Sequence, residues 1–186
     1  MRVIARAIIR SGIALIYSQG FNPHPRLSLP LPRNVGLASD DELFCVKIQT
    51  SEDLPFKNLI SEQLPNGFEL VSTAVVEKPG TYQPVEVEYL VKQAKKTADI
   101  EKINEQIRAG NEILIERTIN REGDVKTVDV GKFLKPFEIA GQDVRVFCKV
   151  LPSGTIRPDE ILKLLDIEPC EISSSIIRKL VTWRID

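Results

Sequence analysis

The chain has 186 residues, 42% hydrophobic and 27% charged, with a net charge of −1, enough length for one larger domain or two small ones with a buried core. No apolar run is long enough for a membrane span, and Arg2, Arg6 and Arg10 interrupt any signal-peptide core, so a cytoplasmic protein is expected. Residues 1–39 carry five arginines (Arg2, Arg6, Arg10, Arg26, Arg33), no lysine and no acid, leaving 20 basic against 26 acidic residues, a net −6, in the remainder.

A basic start on an acidic body points to a side that faces a polyanion, although arginines also serve simply to solvate a helix and a loop. The spacing predicts an amphipathic helix over residues 1–11. Val3, Ile4, Ala7 and Ile8 fall on one face, Arg2, Arg6 and Arg10 follow at four-residue spacing, and Gly12 is the stop. This helix has no capping residue at its start, and its arginines sit where the helix dipole disfavours cations.

A short strand, Ile13 to Tyr17, leads into Tyr17-Ser18-Gln19-Gly20-Phe21-Asn22-Pro23-His24-Pro25-Arg26. Pro23 and Pro25 fix their own φ angles and push Asn22 and His24 into extended conformations. The expected loop is stiff and holds Gln19, Asn22, His24 and Arg26 in set directions. His24 is the only histidine. Its ordinary pKa of about 6.5 suits proton transfer, but the nearest acids in sequence are Asp40, Asp41 and Glu42. A hydrogen-bonding or ligand-contact role is therefore preferred, and no catalytic residue is assigned. Phe21 is either a platform for an unpaired base or a plug that packs the loop onto the core.

The next elements are an edge-like segment Leu27–Leu31, a strand Leu43–Gln49, a helix over 53–63 beginning near Ser51 or Asp53, and a strand Phe68–Val76. Lys78-Pro79-Gly80 is the predicted domain boundary, dividing the chain into 1–80 and 81–186. The second half reads as a strand at Val85–Val91, a helix over 98–109, strands at Glu112–Ile119 and Val125–Val130 joined by a turn at Arg121–Asp124, and a stretch over 132–140 that is irregular or a single turn. A strand at Asp143–Leu151, a helix at Arg157–Leu165 with Pro158 in its first turn, and a strand at Ile172–Trp183 follow. The expected fold class is α+β: two ferredoxin-like (split βαβ) units, the first without its N-terminal strand.

Cys45, Cys148 and Cys170 are odd in number and widely spaced, with no CxxC pattern, so no metal site is expected, and Cys45 and Cys148, in apolar strand-like runs, read as buried free thiols. No glycine-rich phosphate loop or nucleotide fingerprint is present, and no cofactor is assigned.

Ser18 to Arg26, the Leu-Ser-Leu-Pro-Leu-Pro stretch after it, and Gly36 and Ser39 before Glu42 resemble the radical-SAM-linked protein family. Weaker matches are Val128-Asp129, Gly154-Thr155-Ile156-Arg157-Pro158 and Arg178. That family is a domain of unknown function, fused to or encoded beside cobalamin-domain radical SAM proteins. The resemblance implies such a protein as partner. It also implies a strand and loop before the first helix, where this sequence has Met1. The chain has no cluster-binding cysteines, so the implied role is accessory.

The candidate binding residues are Ser18, Gln19, Gly20, Phe21, Asn22, His24, Arg26, Arg2, Arg6, Arg10 and Arg33. Three functions stay open: a non-catalytic module that binds RNA for a radical SAM partner, a metal-independent ribonuclease using His24, and a pure protein-interaction module.

Overall fold

The computed structural model describes residues 2–34, 36–49, 54–78, 80–94, 99–120, 123–168 and 175–186. It is a mixed helix-and-sheet protein with four α-helices among these residues. The chain forms two compact units, one of residues 1–30 and 43–81, the other of 31–42 and 82–186. No helix among the described residues is long and apolar enough to cross a membrane.

The first unit opens with α1 (Arg2–Arg10). Ala7 and Ile8 are buried and Ile4 packs beside them, while Arg2, Arg6 and Arg10 are exposed. Gly12, at φ +76°, lets the chain leave the helix, and the Ser11 hydroxyl donates to the Ile8 carbonyl at 2.6 Å. Ile8, Ile13, Leu15, Ile60 and Leu70 form the core. Burying a side chain such as Ile8 is worth about 1.5–3 kcal/mol, so α1 is held by its apolar stripe despite its poor start. The helix expected over 53–63 is α2 (Phe56–Ser61), starting directly after Pro55; Ser51 and Asp53 lie outside the described residues.

Strand content in this unit is smaller than the alternation predicts. β1 (Leu27–Ser28) pairs antiparallel with β3 (Cys45–Val46), and Ile13–Tyr17 contributes only single bridges. The strand expected at Phe68–Val76 does not form: Phe68 N–H turns back onto Pro65 O at 3.2 Å, and residues 69–76 join no ladder among the described residues. Its valines favour a strand only when a neighbouring strand offers a pleated surface, and β1 and β3 bond instead to each other and to the 14–16 arm.

The second unit is built on one sheet in the order β2-β9-β4-β8-β7. β4 (Tyr82–Val91) lies between β8 (Asp143–Lys149) and β9 (Ile176–Ile185), antiparallel to both. Val87, Tyr89 and Val91 point into the core with Val144, Val146 and Cys148, as the period of two requires. α3 (Ile100–Arg108) is capped by Asp99, whose carboxylate accepts the Lys102 N–H at 3.1 Å. Ile100 of α3 and Ile161 and Leu162 of α4 (Pro158–Leu164) belong to the same core.

The strands expected over 112–130 correspond to β5 (Leu114–Thr118) and β6 (Val125–Asp129), which pair only with each other. The place beside β8 goes to β7 (Glu138–Ala140), in the stretch expected to be irregular or a single turn, which does open on a 3-10 turn at Gly131–Phe133. The cause is burial. Val130, Phe133, Leu134 and Phe137 all enter the core, and this draws the following residues to the free edge of β8. Arg117 holds the hairpin to the unit. Its guanidinium grips the buried Glu160 carboxylate at 2.6 and 2.8 Å, and that carboxylate also accepts the Arg157 N–H at 2.7 Å.

The segment 31–42 also belongs to this unit, not to the one that surrounds it in sequence. Within it β2 (Ala38–Ser39) runs parallel to β9, and Leu37 is buried in the second core. The buried Arg178 guanidinium donates to Glu42 at 3.0 Å and to the Leu31 carbonyl at 3.2 Å. The Asp41 carboxylate accepts the Val181 N–H at 2.7 Å, and Lys179 pairs with Asp40. The segment therefore crosses the boundary placed at residue 80. Its partners lie far ahead in the chain, where local pattern carries no signal.

Candidate binding loop

Three backbone hydrogen bonds form a closed ring at the base of the loop. Arg26 N–H donates to Ile16 O at 2.9 Å, Ile16 N–H to Lys47 O at 2.9 Å, and Lys47 N–H to Arg26 O at 3.0 Å. From this ring the chain rises as a narrow hairpin, bridged at Tyr17 and Pro25. Below it the two arms separate: residue 15 bridges to 48, and β1 pairs with β3. The strand that contains β3 therefore spans the fork and fixes both arms.

Ser18 and His24 close the hairpin above the bridge. Ser18 N–H donates to His24 O at 2.8 Å, and His24 N–H donates to Ser18 Oγ at 3.0 Å. Gly20 has φ +128°, a conformation that glycine accepts without strain. Gln19, Gly20, Phe21, Asn22, His24 and Arg26 are all exposed. Phe21 is fully so, and it touches no core; the plug role is excluded.

The imidazole of His24 makes no hydrogen bond among the described residues, and neither Asp40, Asp41 nor Glu42 shares its unit. Ser18 Oγ is occupied by a backbone donor. The loop thus exposes amide, imidazole and guanidinium hydrogen-bonding groups together with an aromatic ring, which suits contact and stacking. Among the described residues no three His, Cys, Asp or Glu side chains gather as a metal site.

The arginines divide. Arg2, Arg6 and Arg26 are exposed in the loop's own unit and pair with no acid among the described residues. Arg10 is engaged, with Nη2 on the Gln63 carbonyl at 2.7 Å, so it fastens α1 to the chain after α2. Arg33 belongs to the second unit and has interactions of its own. Lys47, read from sequence only as a strand position, is exposed beside the hydrogen-bonded ring; its outward place in the alternation was the available signal.

A cleft of the second unit, about 480 Å³, is lined by Arg108, Lys135, Phe137, Glu138, Phe147 and Glu86. Its cations are already matched: Lys135 pairs with Glu86, and Arg108 with Glu101 at 2.8 Å. The exposed loop of the first unit is the better candidate.

A family model described as "uncharacterized protein conserved in bacteria (DUF2344)" matches residues 1–158. The chain belongs to the DUF2344 family. The match covers the loop, all of the first unit and the second unit as far as the start of α4. The family's description names no radical SAM partner. No curated protein and no solved structure matches the chain.

Proposed function

We propose that this DUF2344 protein is a non-catalytic accessory module that binds unpaired RNA through the Ser18–Arg26 hairpin and presents it to a cobalamin-domain radical SAM protein. The observation that carries the RNA reading is Phe21. A fully exposed phenyl ring on a loop braced at both levels is an aromatic platform whose ordering cost is already met in the free protein. Gln19, Asn22 and His24, exposed on the same loop, are groups able to bond base edges, and Arg2, Arg6 and Arg26 supply positive charge in the same unit that pairs with no acid among the described residues. The radical SAM partner rests on the sequence resemblance of the loop motif.

The finer fold reading applies to the second unit. The order β9-β4-β8-β7, with α3 after β4 and α4 after β8, supports a ferredoxin-like core in which β5–β6 is an insertion. Among its described residues the first unit shows only the β1–β3 ladder, so it gives that reading no support.

Fluorescence anisotropy with short unstructured RNA across a salt series tests the function. Three arginines that neutralise three phosphates should give a log–log slope of roughly −2. Absence of binding at low salt by folded protein would favour a protein-interaction role. Cleavage of the RNA that is lost in His24→Ala would favour the nuclease.

A further inference from the structure

Residues 69–78 read Glu-Leu-Val-Ser-Thr-Ala-Val-Val-Glu-Lys. None of them makes a hydrogen bond or ion pair among the described residues. Leu70 anchors the stretch in the first unit's core, while Val71, Val75 and Val76 are 69, 55 and 53% exposed. A connecting segment is ordinarily polar, and this one holds an uncharged, valine-rich run from 70 to 76. Unpaired backbone donors and acceptors on such a run are a template for strand pairing.

We propose that residues 69–77 are a docking strand that takes an extended segment of another protein by β-strand addition. Charge selects the occupant. In a strand, Glu69, Val71, Thr73, Val75 and Glu77 share one face, so two carboxylates bracket a β-branched stripe. The complementary segment is an uncharged β-branched run with Lys or Arg at each end. A second copy of this chain fits worse: antiparallel pairing centred on Thr73 sets Glu69 against Glu77 at both ends, and like charges directly opposite are destabilising. The site shares no residue with the hairpin and stands whether or not the loop binds RNA.

The test is amide hydrogen exchange on the whole protein with a synthetic peptide of alternating valine and threonine between terminal lysines. A matched peptide with terminal glutamates is the control. The lysine peptide should slow alternate amides within 69–77 by about tenfold or more, and the glutamate peptide should bind at least about tenfold more weakly. Adjacent N–H groups of a strand point to opposite sides. One of Ala74→Pro and Val75→Pro should therefore abolish protection and the other retain it, with unchanged exchange at Ile8 and Ile60 reporting an intact core. No protection, equal binding of the two peptides, equal behaviour of the two proline variants, or protection through dimerisation without peptide would each overturn the proposal.

Discussion

Ser18 and His24 bind each other in both directions across the hairpin, at 2.8 Å from the Ser18 N–H and 3.0 Å to its hydroxyl oxygen. The flanking prolines explain the arrangement. Pro23 and Pro25 have no N–H, so His24 carries the only backbone donor between Asn22 and Arg26, and Ser18 Oγ is where it goes. Ser18→Ala should cost about 0.5–1.5 kcal/mol in urea unfolding, because water replaces the lost acceptor at this exposed site. Amide exchange at His24 should quicken while exchange at Ile16 stays put. Unchanged His24 exchange would mean that the hydroxyl contact is dispensable.

Phe21→Ala separates binding from stability. A fully exposed side chain that touches no core should shift unfolding by no more than about 0.5 kcal/mol. RNA affinity should fall by about 1–3 kcal/mol if the ring stacks on a base, with the salt slope unchanged. Arg6→Ala combined with Arg26→Ala should instead flatten that slope by roughly one to one and a half. Anisotropy titrations at several salt concentrations distinguish the two outcomes.

Glu42 is expected to hold the 31–42 segment in the second unit. Its partner Arg178 is buried, and Arg178 Nε has no acceptor among the described residues. Glu42→Ala leaves that guanidinium without a counter-charge and should destabilise the unit by about 3 kcal/mol. Amides of β2 should lose protection before those of β4. Arg178→Met should be milder, because an apolar side chain of similar length needs no partner. Equal losses in the two variants would count against the ion pair as the determinant.

Alkaline pH should weaken the second unit. Burial pushes the Cys148 thiol well above its ordinary 9.0. Burial also raises the Tyr89 phenol, partly offset by Arg178. Both groups hold their protons more tightly folded than unfolded. Their stabilisation is complete below the unfolded pKa values and is lost as pH rises toward the folded ones. Each group contributes a slope of about −1.4 kcal/mol per pH unit once its unfolded form ionises. Urea unfolding between about pH 8 and 10 should show this decline, and Cys148→Ala should flatten it by about one proton even though its absolute stability is lower. An identical slope in the variant would contradict the assignment.

The sequence by itself determined what depends on neighbours in the chain. The apolar stripe of Ile4, Ala7 and Ile8 turns Arg2 and Arg6 outward, Gly12 ends α1, and two prolines stiffen the loop that carries His24. Alternation along Val87, Tyr89 and Val91 likewise sets which face of β4 is buried. Each follows from a local period or a fixed φ angle, and three or four residues suffice to specify it. Tertiary structure alone decided which elements meet. Leu37 joins the second core through β9 and Arg178, β7 displaces the β5–β6 hairpin beside β8, and residues 69–76 join no sheet among the described residues despite their strand-forming side chains. Phe21 likewise reads as plug or platform until the fork around Ile16, Arg26 and Lys47 lifts it away from the core. In each case the free energy that settles the outcome is held by a strand or side chain distant in sequence, so no local pattern records it.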